Sequence, residues 1–141
     1  MILLDTNVVS ELAKQSPEPA VRTWLGGHPP AGIFLCAISE AELRLGVALL
    51  PQSKRRDSLR ATVGVLIEVT FRERILPFDS GAAIEYAEIV ATRRRAGRPI
   101  SLADAQIAAI ARSRGARIAT RNVEDFAGTG VDIINPWNTG R

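Results

Sequence analysis

Four acidic residues occupy positions from which a chain of this kind can do chemistry. Asp5 follows the apolar triplet Ile2-Leu3-Leu4, and Glu42, Asp104 and Asp125 each lie three residues beyond a small polar residue, in Ser39-Glu40-Ala41-Glu42, Ser101-Leu102-Ala103-Asp104 and Asn122-Val123-Glu124-Asp125. Taken singly, that spacing is a helix-capping pattern, which satisfies free N–H groups in a first turn without any catalysis. Asp5 can likewise cap a helix starting near Asn7. Caps explain why each helix begins, but not why several helix starts should share an edge with an acid leaving the first strand. If the four carboxylates converge to within about 5 Å, each pair repels by roughly 3 kcal/mol at an effective dielectric near 20. Helix N-termini offset only about 0.3–1 kcal/mol apiece. A divalent cation is the expected remedy, and a set of oxygen donors favours Mg²⁺ or Mn²⁺ over Zn²⁺. The nitrogen and sulfur alternatives are scarce: the sole histidine, His28, sits in the loop Gly26-Gly27-His28-Pro29-Pro30, and the sole cysteine, Cys36, lies in the apolar run Ile33–Ile38 and reads as a core thiol.

Several other chemistries lack their parts. One histidine cannot make a two-histidine acid–base nuclease, and its loop position does not suit a Ser/His/Asp set. The chain has no Gly-x4-Gly-Lys-Ser/Thr loop, and Gly128-Thr129-Gly130 is too short and too late for dinucleotide binding. What remains is metal-activated water attacking a phosphodiester.

The elements that must position these acids follow from hydrophobic periodicity. Short apolar runs at Ile2–Leu4, Ile33–Ile38, Ile75–Leu76, Ile118–Ala119 and Val131–Ile134 predict strands. Helical periods cover Asn7–Lys14, Val21–Leu25, Ser39–Leu50, Ser53–Phe71, Ser80–Ala96 and Leu102–Arg114, the last closed by Gly115. Strands alternating with helices predict an α/β fold, a central parallel sheet of about five short strands with helices on both faces. No linker, repeat or low-complexity tract divides the 141 residues, so a single domain over 1–141 is expected. In such sheets ligands bind beyond the carboxyl ends of the strands, which is where the acids fall.

The net charge is +3, and 16 of the 18 basic residues are arginine, which suits bidentate contact with phosphate. The densest runs are Lys54-Arg55-Arg56 with Arg60 and Arg93-Arg94-Arg95 with Arg98. Each reads either as a solvated helix face with i,i+4 partners such as Glu88 or as a phosphate contact. Aromatic residues make up 5% of the chain and none interleaves with these runs, so a nucleic acid would be gripped by its backbone. No apolar stretch approaches the roughly 20 residues that span a bilayer, and the expected compartment is the reducing cytoplasm, without a membrane partner.

At these residues the sequence resembles the PIN-domain family, specifically the VapC/FitB-type toxins of type II (VapBC-like) toxin–antitoxin pairs. The likeness is carried by Met1–Asn7, Ala41–Gly46, Ile100–Ala109 and Ala119–Phe126, with Arg74–Asp79 and Asn135-Pro136-Trp137 in support, and it spans nearly the whole chain. It implies a PIN-like fold, Mg²⁺- or Mn²⁺-dependent endoribonuclease activity on an RNA substrate, homodimerisation, and neutralisation by a VapB/FitA-like DNA-binding antitoxin. It also implies Asp5 and Asp104 as the principal metal ligands, Glu42 as the acid that completes the cluster and orients water, and Thr6 as a hydrogen-bonding support for Asp5. Some relatives place Asp where this chain has Asn122, so the fourth position is either Asn122 or Asp125, and one-metal and two-metal mechanisms both stay open. Two rival readings accompany this one. A phosphatase using an aspartyl nucleophile would need a second Asp that Asp5-Thr6-Asn7 lacks. A catalytically silent RNA- or protein-binding module would keep Glu42 and Asp104 only as caps, so that their removal would lower stability without any metal-dependent rescue.

Overall fold

The computed structural model of the chain describes residues 1–138. Five strands, β1 (Ile2–Leu4), β2 (Ile33–Cys36), β3 (Ile75–Leu76), β4 (Arg117–Ala119) and β5 (Ile133–Ile134), form one sheet in the order β3-β2-β1-β4-β5, with every neighbouring pair parallel. Between them run α1 (Thr6–Leu12), α2 (Pro19–Gly26), α3 (Ala37–Ala48), α4 (Lys54–Val65), α5 (Ser80–Arg95) and α6 (Leu102–Arg114), with short 3-10 turns at Pro30–Gly32 and Val123–Phe126. The α/β expectation therefore holds. Of the expected 1–141 span, the last three positions lie outside the described residues.

The strands are short enough for their alternation to be read residue by residue. Ile2, Leu4, Ile33, Leu35 and Ala119 point to a core shared with α1 to α4, whereas Leu3, Cys36 and Ile118 point to a second core with α5 and α6. Both faces of the sheet are thus covered, as a parallel sheet requires. On the second face α6 buries Ala105, Ala108, Ala109 and Ala111 together with Ile107 and Ile110. Side chains this small let the helix lie close to its neighbours. The helix stops at Gly115, whose φ of +64° is the left-handed cap that a residue with a Cβ adopts poorly.

Two expected boundaries are corrected. The apolar run Ile33–Ile38 leaves the strand at Cys36, and α3 begins at Ala37, so Ser39 lies within the first turn, fully buried, and caps nothing. Cys36 occupies the cap position, with its thiol 3.6 Å from the Ser39 hydroxyl, and burial raises its pKa. Downstream, the single helix expected over Ser53–Phe71 ends as α4 at Val65 and continues as a π-helical turn over Leu66–Thr70. The Arg74 guanidinium ties the end of that turn to the entry of β2, donating to the carbonyls of Thr70, Pro30 and Ile33.

The order of strands leaves one topological switch point. From β1 the chain proceeds to β2 and β3 on one side, then returns to place β4 on the other, so the connections leaving β1 and β4 diverge at their carboxyl ends. The crevice opened by such divergence is where open α/β sheets bind ligands.

Candidate active site

Asp5 and Thr120 are the first residues beyond β1 and β4, and they meet at that crevice. The register pairs Leu4 with Ala119, and the Asp5 N–H donates to the Ala119 carbonyl at 2.9 Å. Asp5 is 6% exposed. Its Oδ1 accepts the Thr6 N–H at 2.8 Å and so caps α1, while Oδ2 accepts the Thr120 hydroxyl at 2.8 Å and the Asn7 amide at 3.3 Å. Thr120 is fully buried, and its Oγ1 in turn accepts the Asn122 N–H at 3.0 Å and the Asn7 amide at 3.2 Å. Asn7 closes the circuit by accepting the Arg121 N–H at 3.2 Å. One carboxylate is therefore locked by the start of α1 and by a residue more than a hundred positions further along the chain.

Glu42 stands in the second turn of α3, exposed, with Oε1 accepting the Thr6 hydroxyl at 2.7 Å. Thr6 thus supports Asp5 through its main chain and Glu42 through its side chain. Asp104 lies in the first turn of α6, half-buried, where its N–H donates to the capping Ser101 hydroxyl at 3.2 Å. Burial raises the pKa of both Asp5 and Asp104, and the acids add to it: Asp104 and Glu42 act on Asp5, and Asp125 and Glu42 act on Asp104. The hydrogen bonds that each carboxylate accepts work in the opposite direction without cancelling the shift.

Asp5, Thr6, Glu42, Asp104 and Asn122 line one cavity of about 380 Å³, together with Asn7, Ser10, Glu11 and Lys14. Asp125 is not part of that lining. It is exposed, close enough to Asp104 for its charge to be felt, on a 3-10 turn whose start at Asn122 has no side-chain cap. Asn122 takes the place at the cavity wall. The three-residue spacing shared by Ser39/Glu42, Ser101/Asp104 and Asn122/Asp125 therefore yields a side-chain cap only at Ser101.

Sequence reasoning missed three members of the site. Thr120 follows β4 directly, as Asp5 follows β1, and that parallel was the available signal. Glu11 is buried because α1 turns it inward, where Oε1 accepts Lys14 Nζ at 2.9 Å and Oε2 accepts the Glu18 N–H at 3.0 Å. These two hydrogen bonds hold its carboxyl below the usual range. Lys14 is by this means fixed at the cavity rim as the one ammonium among the acids.

Among the described residues, no three Asp, Glu, His or Cys side chains stand close enough to clamp an ion directly. The donor set nevertheless suits Mg²⁺ or Mn²⁺, because a small hard cation keeps several waters and takes only one or two carboxylates. Burial is the first cause of the raised pKa values of Asp5 and Asp104, with the neighbouring acids adding to it, so a cation beside them would favour their ionised forms.

Residues 2–130 match the family model for the PIN domain. The chain is 42% identical over 137 residues to the VapC ribonuclease Y4jK of Sinorhizobium fredii, covering 97% of this chain and 98% of that one. It is 41% identical over 138 residues to the toxin FitB of Neisseria gonorrhoeae, covering 98% and 99%. The solved structure of FitAB bound to an IR36 DNA fragment superposes with a TM-score of 0.92 at 40% identity, over 100% of this chain and 99% of that one.

Proposed function

We propose that this chain, which belongs to the PIN-domain family, is the toxin of a VapBC-type pair and acts in the cytoplasm as a Mg²⁺- or Mn²⁺-dependent endoribonuclease. The observation that carries the reading is the meeting of Asp5, Glu42 and Asp104, from three separate stretches of chain, at one cavity on the switch point of the sheet. Support also comes from relatives named as a ribonuclease and as a toxin.

Asp5 and Asp104 are the carboxylates that would hold the ion, with Asn122 offering only a neutral carbonyl oxygen at the same wall. When bound, the ion lowers the pKa of water and neutralises charge on the phosphoryl oxygens. The remaining work belongs to the chain. Thr120, Asn7 and the Thr6 N–H fix both oxygens of Asp5 before substrate arrives, so no reorganisation is needed at the moment of reaction. The Thr6 hydroxyl aims Glu42, whose exposed carboxylate is placed to accept the proton of an attacking water. Lys14, held by Glu11, offers positive charge to an incoming phosphate at the rim. Asp125 acts only through Asp104, as a neighbouring charge.

The rest of the assignment concerns partners. The proposed substrate is RNA, the neutralising partner is a FitA- or VapB-like DNA-binding antitoxin, and the working form is a homodimer. No helix among the described residues is long and apolar enough to cross a membrane.

Purified protein should cut RNA with Mg²⁺ or Mn²⁺ and stop in EDTA. Asp5→Asn and Asp104→Asn should each reduce the rate by more than the roughly 10–100-fold typical of losing an outer-shell partner of a metal site. Folded Asp5→Asn and Asp104→Asn proteins that cut as fast as the parent would overturn the site.

A further inference from the structure

The acidic cavity does not end at Glu42. A second hollow of about 330 Å³ continues from it between α1, α3 and α4, and shares Thr6, Ser10, Lys14 and Glu42 with it. Its floor is aliphatic, built from Leu43, Val47, Leu59 and Val63. Lys14 stands on one wall and Arg55 on the other. Beyond Val47 and Val63 a further cleft carries Arg44 and Arg60. Among the described residues neither Arg55 nor Arg60 is in an ion pair, although Arg44 pairs with Glu40 and Glu68.

Gly46 faces the second hollow. It lies one turn beyond Glu42 on α3 and lines the groove, and a Cβ built there would meet no atom within 4 Å. A glycine inside a helix is destabilising by roughly 0.5–1 kcal/mol relative to alanine. Here it leaves open space beside the carboxylates.

We infer that this groove is the subsite for the nucleotide adjoining the scissile phosphodiester of a single-stranded RNA: the base lies on Leu43, Val47, Leu59 and Val63, and the next phosphate passes between Lys14 and Arg55. The inference rests on reading the acidic cavity as the place of cleavage. A polyanion is repelled by that cavity, so attraction must come from cations beside it, and Arg55 and Arg60, without an ion pair among the described residues, lie along the hollow that adjoins it. An apolar peptide would fill the floor equally well but would leave Arg55 without a counter-charge. No aromatic side chain lines the groove, so base preference there should be weak.

The test uses the full chain and a fluorescein-labelled ten-nucleotide single-stranded RNA, with binding followed by anisotropy in EDTA so that no cleavage occurs. Lys14→Gln and Arg55→Gln should each raise Kd about tenfold at 50 mM salt and flatten the log–log salt dependence by about 0.7. Gly46→Phe removes a helix glycine and should fold at least as well as the parent, yet it should weaken binding by filling the groove. Arg94→Gln, exposed on another surface, should leave Kd unchanged. Unchanged Kd in Arg55→Gln and Gly46→Phe overturns the subsite. So does a Gly46→Phe protein that binds RNA normally but escapes a co-expressed antitoxin, because the groove then belongs to a peptide. Failure of the catalytic reading looks different: the parent binds the oligonucleotide through the groove but does not cut it when Mn²⁺ is added.

Discussion

Lys54-Arg55-Arg56 with Arg60 on α4 and Arg93-Arg94-Arg95 with Arg98 at the end of α5 differ little as sequence, yet the fold uses them in opposite ways. Arg55 stands exposed over a groove with no carboxylate partner among the described residues. Arg93 is 6% exposed and donates three hydrogen bonds to carbonyls, from Nε to Arg98 at 2.6 Å and from Nη1 to Asp125 at 3.1 Å and Ala127 at 2.7 Å. It is neither the solvated residue nor the phosphate contact that its run suggests. Helical phase is the reason. The buried residues of α5 are Ala82, Ile89 and Arg93, one stripe at i, i+7 and i+11, and Arg93 is the member of its run that falls on it. Arg94 and Arg95 lie about 100° and 200° further round the helix and remain exposed. On α4 the inward stripe passes through Leu59 and Val63, which places Arg55 at the groove wall. Charge in a sequence therefore reports a supply of cations, and helix phase decides which of them solvent can use.

Stability measurements give the largest separation. Arg93→Ala strips donors from three carbonyls in partly buried surroundings, and each acceptor left unsatisfied is worth about 1–3 kcal/mol. A loss of about 2–4 kcal/mol in urea unfolding is expected, with Arg93→Lys intermediate because an ammonium cannot reproduce the planar fork. Arg94→Ala and Arg55→Ala should both stay within about 0.5 kcal/mol of the parent. Equal losses for Arg93→Ala and Arg55→Ala would abolish the contrast.

A smaller effect should appear in pH dependence. Burial, helped by Asp125 and Glu42, raises Asp104, whereas the Arg93 charge pulls it down. A carboxyl whose pKa is higher folded than unfolded favours the fold while it is protonated. Stability is thus fully present below the unfolded value, near 3.8, and is lost as pH rises through the raised folded value. Without metal, the unfolding free energy should decline across that window, and Asp104→Asn should flatten the decline. Arg93→Gln should move the acid limb of the RNA-cleavage profile to higher pH, while Arg55→Gln should leave the limb in place and change KM. A limb that shifts with Arg55 and not with Arg93 would reverse the two roles.

The same consideration of phase explains what the sequence made legible. The strands and most helices were readable because their apolar periods are clean, and Asp5 was readable because it sits at the end of an unbroken apolar triplet. Asp104 was readable because Ser101 caps α6 as its spacing predicts. Glu42 was found for a partly wrong reason: α3 starts at Ala37, so Ser39 is buried core and Glu42 reaches the cavity from a second turn. Asp125 lies on a 3-10 turn and is not among the residues that line the cavity, where Asn122 stands. Thr120 and Arg93 were invisible because they bond to distant segments, and Glu11 because its bonds to Lys14 and the Glu18 N–H depend on how the chain turns after α1. A polar residue at a strand end or on a helix face does not declare whether its partner is water or a carboxylate 115 residues away.

The smallest expected effect tests what holds the loop after β4. Arg98 reaches Glu124 at 3.5 Å, but the two side chains are 52% and 88% exposed. Exposed pairs of this kind contribute about 0–1 kcal/mol and are screened by salt. Glu124→Gln should therefore change unfolding by less than about 0.5 kcal/mol, and that difference should vanish in 0.5 M NaCl, where the screening length is about half its physiological value. The Arg93→Ala deficit should persist in the same salt, because hydrogen bonds from a buried guanidinium to carbonyls are little screened. If Glu124→Gln were as damaging as Arg93→Ala, the loop bearing Asn122 and Asp125 would be anchored by the rim pair, and the buried arginine would be mere packing. The salt arm distinguishes these cases even where the two losses happen to be similar in size, since only the anchoring by Arg93 is independent of ionic strength.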